Sequence, residues 1–233
     1  MNRVFVKKLL NLSHRYGGYV PLSRLNTVSC WLEGGGESLL DIGCGGGEAM
    51  LFLNRRKSFK TCGVDINPIL IAEAKNKSSH HQYFCRDILN LNLADKSYDT
   101  VICLELIEHL PKDEGLNLIL RLEKIARKRV ILSTPVGFSR VEGNHNEDGS
   151  AHQCGYLPFE LKEMGYLVRG NRLRLERVWW PYLLKRSAAL ASVYWAFWLA
   201  AGVVFSPLAY FFPDRIASGM VCLKEVGYER KSG

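Results

Sequence analysis

The stretch Leu39-Leu40-Asp41-Ile42-Gly43-Cys44-Gly45-Gly46-Gly47-Glu48 limits the fold of this chain more than any other. An apolar run suited to a buried strand ends in a cluster of glycines, and a helix-forming stretch opens at once on an acidic residue. Strand, sharp turn and helix is the reading that this order dictates. Glycine lets the backbone turn through conformations closed to other residues, and it brings a ligand close to bare N–H groups. Loops use glycine for many reasons, so the turn alone is weak evidence of a nucleotide. Its place between a strand and a helix strengthens it.

The remainder of the chain extends that pattern. Ser38–Ile42 is expected as a first strand and Glu48–Arg55 as the helix after the turn. Lys60–Asp65 reads as a second strand, followed by a helix that Pro68 opens, where a missing N–H costs nothing. That helix is expected to run to Lys77. Gln82–Cys85 and Thr100–Leu104 read as further strands and Lys112–Ala126 as an amphipathic helix. Val130–Ser133 is the fifth strand and Pro158–Met164 a short helix stopped by Gly165. Tyr166–Leu175 and Met220–Val226 complete the series. Strands alternating with helices predict a parallel sheet. The fold class expected is α/β: a Rossmann-like, seven-stranded, mostly parallel sheet with helices on both faces and an apolar helical insertion before the last strand.

The candidate site residues follow from that frame. Asp65 ends the second strand, roughly 20 residues past the turn, where a carboxylate can accept hydrogen bonds from ribose hydroxyls; capping the helix that begins at Asn67-Pro68 is the plain alternative. A dinucleotide and S-adenosylmethionine (SAM) both satisfy these features. Asp41 favours SAM, because a carboxylate before the turn suits a cationic methionine end and repels a pyrophosphate. Arg86-Asp87-Ile88 ends the third strand; Asp87 can accept from an adenine amino group with Ile88 against the ring, or cap a turn.

These pieces, LLDIGCGGG, GVDINP, CRDI and SYDTVICLELIEHLP, resemble the class I SAM-dependent methyltransferases, in particular the type 11 group that includes ubiquinone and menaquinone biosynthesis enzymes. The resemblance runs from about Ser38 to Pro135. It implies SAM as cofactor, held by Asp41, Gly43, Cys44, Gly45 and Gly47 at the methionine end. Asp65 and Ile66 would meet the ribose, and Asp87 and Ile88 the adenine. Leu104 and Glu105, where the fourth strand ends, would line the pocket. The resemblance fades after Pro135 and leaves the methyl acceptor unnamed. His109 is a candidate general base or a locally packed helix-start residue. His152, a few residues before the helix after the fifth strand, matches the place where related enzymes bring a histidine to the acceptor. His145, Asp148 and His152 do not have a spacing that compels a metal site, and no metal ligands are assigned.

The formal charge is +8 and the seven cysteines are scattered, so free thiols in a reducing compartment are expected. No secretory leader is read at the start, which is instead a basic amphipathic opening. Ser187–Pro213 carries no charge and many aromatics, and basic and tryptophan residues lie just before it. Gly202, Ser206, Pro207 and Pro213 interrupt it, so it is expected as short helices that touch a membrane or cover the site; a dimer interface or core extension is the alternative. The organisation expected is a basic helical segment (1–37), a SAM-binding core (38–178), the apolar insertion (179–215), and a last strand with its tail (216–233). The function expected is methyl transfer to a small, apolar or membrane-associated acceptor by a cytoplasmic enzyme, peripheral at the inner membrane face. The alternatives are an RNA methyltransferase using the basic surface and a non-catalytic SAM-binding membrane protein. Nucleic acid is disfavoured, because no Asn-Pro-Pro-Tyr type motif follows the fourth strand. A homodimer is allowed.

Overall fold

A computed structural model describes residues 21–54, 59–90, 92–138, 151–173 and 204–227. Seven strands are present: β1 (Ser38–Ile42), β2 (Lys60–Asp65), β3 (Gln82–Cys85), β4 (Tyr98–Leu104), β5 (Ala126–Pro135), β6 (Leu167–Leu173) and β7 (Ala217–Glu225). They form one sheet in the order β3-β2-β1-β4-β5-β7-β6. The first five are parallel, and β7 runs antiparallel to both of its neighbours.

Helices α1 (Arg24–Trp31), α2 (Glu48–Leu53), α3 (Pro68–Asn76), α4 (Lys112–Ile125) and α5 (Pro158–Glu163) connect and flank the strands. Residues 204–211 form a further helix, α6, and Pro213–Ile216 form α7. Strand alternation splits the core in two. Leu39, Ile102 and Ile131 join Val28 of α1, Leu32 just after it, and Met50 and Leu53 of α2 on one face. Leu40, Val101 and Val130 meet Leu118, Ile119 and Leu122 of α4 and Leu161 of α5 on the other. Both faces of a parallel sheet are thereby removed from water, as such sheets require.

The expected elements are present, with shifted boundaries. β5 begins four residues before Val130, because Ala126 and Arg129 pair with Tyr98 and Thr100 of β4 around an irregularity at Arg127 and Lys128, which are exposed. β4 starts at Tyr98 and β7 at Ala217, each earlier than the apolar runs implied. Gly165 at φ 88° ends α5 as anticipated. The basic opening over 1–20 lies outside the described residues. So do His145, Asp148, positions 174–178 of the expected core and positions 179–203 of the apolar insertion.

β1 and β4 are neighbours whose onward connections run to opposite sides of the sheet. In open α/β sheets a crevice for ligands forms at such a switch point, outside the carboxyl ends of the strands. The insertion belongs to the same edge. The chain leaves the sheet at Leu173 and returns at Ala217, a paired couple two residues beyond the Pro135–Gly219 pair that closes β5.

Candidate functional site

The glycine loop closes on β2. Gly43 and Cys44 donate to the Val64 carbonyl at 2.8 and 3.0 Å. Gly43 is left-handed at φ 71°, and a β-carbon on it would press the Leu106 side chain at 2.8 Å. Gly45, also left-handed, has open space where a side chain would stand. Its N–H donates to Asp65 Oδ2 at 2.9 Å, while Asn67 N–H donates to Asp65 Oδ1 at 2.9 Å. The Asp65 carboxylate therefore stands at the loop mouth with lone pairs to spare. Ile66 beside it is 66% exposed.

Asp87 serves the turn after β3. Its carboxylate accepts from Leu89 N–H at 3.0 Å and from the Asn90 amide at 2.7 Å, which is the capping role foreseen as its alternative. Ile88 packs against the core. Asp41 faces inward. It is buried, and its Oδ2 lies 3.1 Å from Nε2 of a fully buried His80. Cys44 is buried as well; burial first, then the Asp41 and Asp65 carboxylates, push its thiol far above the ordinary range and leave it inert. All seven cysteines are free.

β4 ends in a strained corner. Leu104 borders the core, and Glu105 takes φ 55°, a left-handed conformation uncommon outside glycine. Glu105 is engaged on both oxygens, accepting from Ser133 Oγ at 2.9 Å and pairing with Arg24 of α1 at 3.1 Å. The next turn is Ile107–His109. Glu108 is 2% exposed and accepts from Thr134 Oγ1 at 3.0 Å. Burial, and then the Glu105 charge, raise its pKa to about 7, against which its backbone N–H, Thr134 and Arg24 act.

The chain returning through 151–154 is stitched to this turn. Gln153 and Cys154 N–H groups donate to the Glu108 carbonyl, and the Gln153 amide donates to the His109 carbonyl. His109 Nδ1 lies 3.3 Å from the Ala151 carbonyl, which can only accept, so Nδ1 holds the proton and Nε2 is the basic nitrogen of the neutral ring. The His109 and His152 rings meet edge to face at 4.9 Å. Ligand atoms of Glu108, His109 and His152 all lie within 4.8 Å of one another. The sequence pattern picks out both histidines singly. Their meeting, and a buried carboxyl beside them, carry no local signature, so the expectation of no metal ligands is not carried forward.

The described part of the insertion rests on β6. Ala209 of α6 is buried, and Gly170 has no side chain because the Ala209 carbonyl occupies that space. Val204, Phe205, Leu208 and Phe211 of α6, and Phe212 just after it, are each close to half exposed or more. Arg169 stands 5.4 Å from the Tyr210 ring and 5.7 Å from that of Phe211. Among the described residues no helix is long and apolar enough to cross a membrane.

Comparison with known proteins agrees with this geometry. Residues 39–128 match a family model described as a methyltransferase domain. Over 80 residues the chain is 39% identical to the ubiquinone biosynthesis O-methyltransferase of Coxiella burnetii, covering 33% of this chain and 34% of that protein. Over 140 residues it is 28% identical to the magnesium-protoporphyrin O-methyltransferase of Synechocystis sp., covering 55% and 56%. The chain thus spans about a third to about half the length of these curated relatives. The crystal structure of magnesium protoporphyrin IX methyltransferase from Synechocystis with bound SAM shares the fold with a TM-score of 0.54 at 18% identity, over 96% of this chain and 86% of that one. A SAM dependent methyltransferase from Archaeoglobus fulgidus gives 0.51 at 20% identity, over 86% and 94%.

Proposed function

We propose that this chain, whose residues 39–128 match a methyltransferase domain, transfers the methyl group of SAM to a small, lipophilic acceptor at the carboxyl edge of its sheet. The observation that carries this reading is the open glycine loop beside the switch point, with the Asp65 carboxylate at its mouth. Asp65 offers free lone pairs to ribose hydroxyls, and the bare space at Gly45 admits the cofactor. The magnesium-protoporphyrin and ubiquinone relatives act, by their names, on small molecules.

The sulfonium of SAM is a good leaving group. An acceptor oxygen attacks the methyl carbon, the S–CH3 bond breaks as O–CH3 forms, and S-adenosylhomocysteine leaves. The acceptor proton must go to a base, and His109 Nε2 and Glu108 are the groups suited to take it. Glu108, His109 and His152 also fit a divalent cation, being two imidazoles and a buried carboxyl within 4.8 Å. When bound, such an ion would acidify a hydroxyl of the acceptor.

The lipophilic part of the reading rests on the apolar face of α6, which belongs to the segment that leaves and rejoins the sheet at the site edge. A peripheral place at the cytoplasmic membrane face follows from it. The test is incubation with methyl-labelled SAM and cell extract, separated into lipid, nucleic-acid, protein and aqueous small-molecule fractions. Label is expected in the lipid fraction, with release of S-adenosylhomocysteine. Label confined to the aqueous fraction would overturn the lipophilic acceptor. Cofactor binding without label in any fraction would leave a non-catalytic binding protein.

A further inference from the structure

A second group of polar side chains lies beneath the glycine loop, outside the acceptor-facing cluster. His80 sits in the connection between α3 and β3. Its side chain has 0% exposure and that of Asp41 has 3%, with Nε2 and Oδ2 3.1 Å apart. Nδ1 lies 2.8 Å from Ser79 Oγ, which in turn reaches the Ala74 carbonyl at 3.2 Å. The backbone N–H of His80 donates to Tyr83 Oη at 2.8 Å, so the residue is fixed from three sides. The ring fits only because β2 has glycine below it: a β-carbon on Gly63 would stand 3.0 Å from His80 Nδ1 and 2.9 Å from Cys44 Sγ.

The neighbours of His80 hold the same loop. Lys77 Nζ donates to the Gly46 carbonyl at 3.0 Å and also pairs with Glu48. Ser79 fills the space beside left-handed Gly47, where a β-carbon would overlap its hydroxyl. Between them Ser78 takes φ 51°, a left-handed conformation that is unfavourable for a residue other than glycine and persists only where surroundings impose it. Three side chains from one four-residue turn thus meet Gly46, Gly47 and Asp41, which flank the open position at Gly45.

We propose that the Lys77–His80 turn is a clamp that sets the shape of the cofactor loop, and that His80 is its positioning residue, holding Asp41 as a buried structural anion. This rests on the reading that the loop binds SAM, and it changes what Asp41 does there. A carboxylate buried with an inaccessible imidazole does not reach out to a cationic ligand. It fixes the strand end from which the loop springs, and its charge acts on the cofactor from within the protein. His80 must donate through Nε2, because an ionised carboxylate only accepts. Ser79 can serve Nδ1 as acceptor or donor by rotating its hydroxyl, which leaves the ring satisfied at both nitrogens.

The experiment is titration calorimetry with S-adenosylhomocysteine on the full chain and its variants. Glutamine can present a donor where Nε2 stood, so His80→Gln should bind within about threefold of the wild type, whereas His80→Leu should bind at least about 30-fold more weakly, the loss of a charge-assisted bond. Unchanged affinity in folded His80→Leu, or equal losses in both variants, would overturn the clamp. Should His80→Leu fail to fold, Lys77→Met decides: its side chain is one-third exposed, and loss of the Gly46 bond should weaken binding about fivefold with the melting temperature held. Unchanged binding there also overturns the clamp. Failure of the wild type to bind would instead sink the cofactor reading itself.

Discussion

The two edges of this sheet use the same residue types to opposite ends. At the amino edge Asp99, near the start of β4, accepts from the N–H groups of Glu37 and Ser38, from the Ser38 hydroxyl and from Arg127 Nε. Arg127 also donates to Ser38 Oγ and the Lys96 carbonyl, and Gly36 leaves no room for a side chain against Asp99. At the carboxyl edge, just past the end of β4, Glu108 is more deeply buried, yet its side chain has one hydroxyl donor, Thr134. Burial pushes both carboxyls up. At Asp99 the hydrogen bonds from Arg127, Glu37 and Ser38 outweigh it and hold the group well below the ordinary range. At Glu108 they do not, and the carboxyl rests at about 7. One edge saturates its carboxylate with donors, and the other leaves a buried carboxyl nearly undonated.

The largest effect is expected from removing Asp65, the carboxylate on which the open edge depends. Asp65→Ala deletes the acceptor for Gly45 N–H and the proposed ribose contact together. With about 1.5–3 kcal/mol for each hydrogen bond to a charged group, affinity for S-adenosylhomocysteine should fall about 100-fold or more. Asp65 is only partly buried, so the melting temperature should move little. A binding change below tenfold, read by calorimetry, would break the assignment of this edge to the cofactor.

Asp99 and Glu108 test the comparison through stability. Asp99→Ala strands several donors and should cost about 2 kcal/mol without altering cofactor affinity in the folded protein. The group's folded pKa lies below its unfolded value near 4, so its contribution is present above that pH and is lost as acid protonates it. Glu108 has the reverse sign. Its folded pKa of about 7 lies above the ordinary 4.5, so the fold disfavours the carboxylate, and stability falls as pH rises through 4.5 to 7. Glu108→Gln should therefore melt higher than the wild type at pH 8 and alike at pH 4. Melting curves across pH that move the two variants in the same direction would remove the contrast between the edges.

How much of this was legible in the sequence depends on how local each signal is. Strand and glycine turn announce themselves within ten residues, and the order of elements places Asp65 and Asp87 without a structure. β5 shows its limit, since Arg127, Lys128 and Arg129 hide the first residues of a strand behind charges that turn outward to Asp99, Glu225 and backbone carbonyls. Asp41 shows a deeper one. Its position fits a ligand contact, but its partner His80 lies 39 residues on, in a polar Ser-Ser-His-His run that reads as an ordinary loop. The sequence reading singles out His109 in LELIEHLP and passes over Glu108, and nothing in that segment tells that Thr134 and the 151–154 return will bury it. Tertiary pairing decides these roles, and spacing along the chain does not carry it.

The smallest effect expected is at Arg24, where the open edge borrows the closed edge's device, an arginine paired with a carboxylate. Its guanidinium pairs with Glu105 at 3.1 Å, with side-chain exposures of 26% and 34%. Pairs this exposed contribute about 0.5 kcal/mol, so Arg24→Ala should shift the melting temperature by only a few degrees. The same cation also holds the Glu108 carboxyl down, after burial and Glu105 have raised it. Its removal should therefore move the midpoint of methyl transfer against pH upward, by less than one pH unit, while affinity for S-adenosylhomocysteine stays within about threefold. If the midpoint stays fixed while Glu108→Gln abolishes the pH dependence, α1 is a cover over the site and takes no part in tuning it. If the midpoint rises, the first described helix joins the carboxyl edge as an electrostatic component, and the boundary between a stabilising edge and a reactive one runs through a single ion pair.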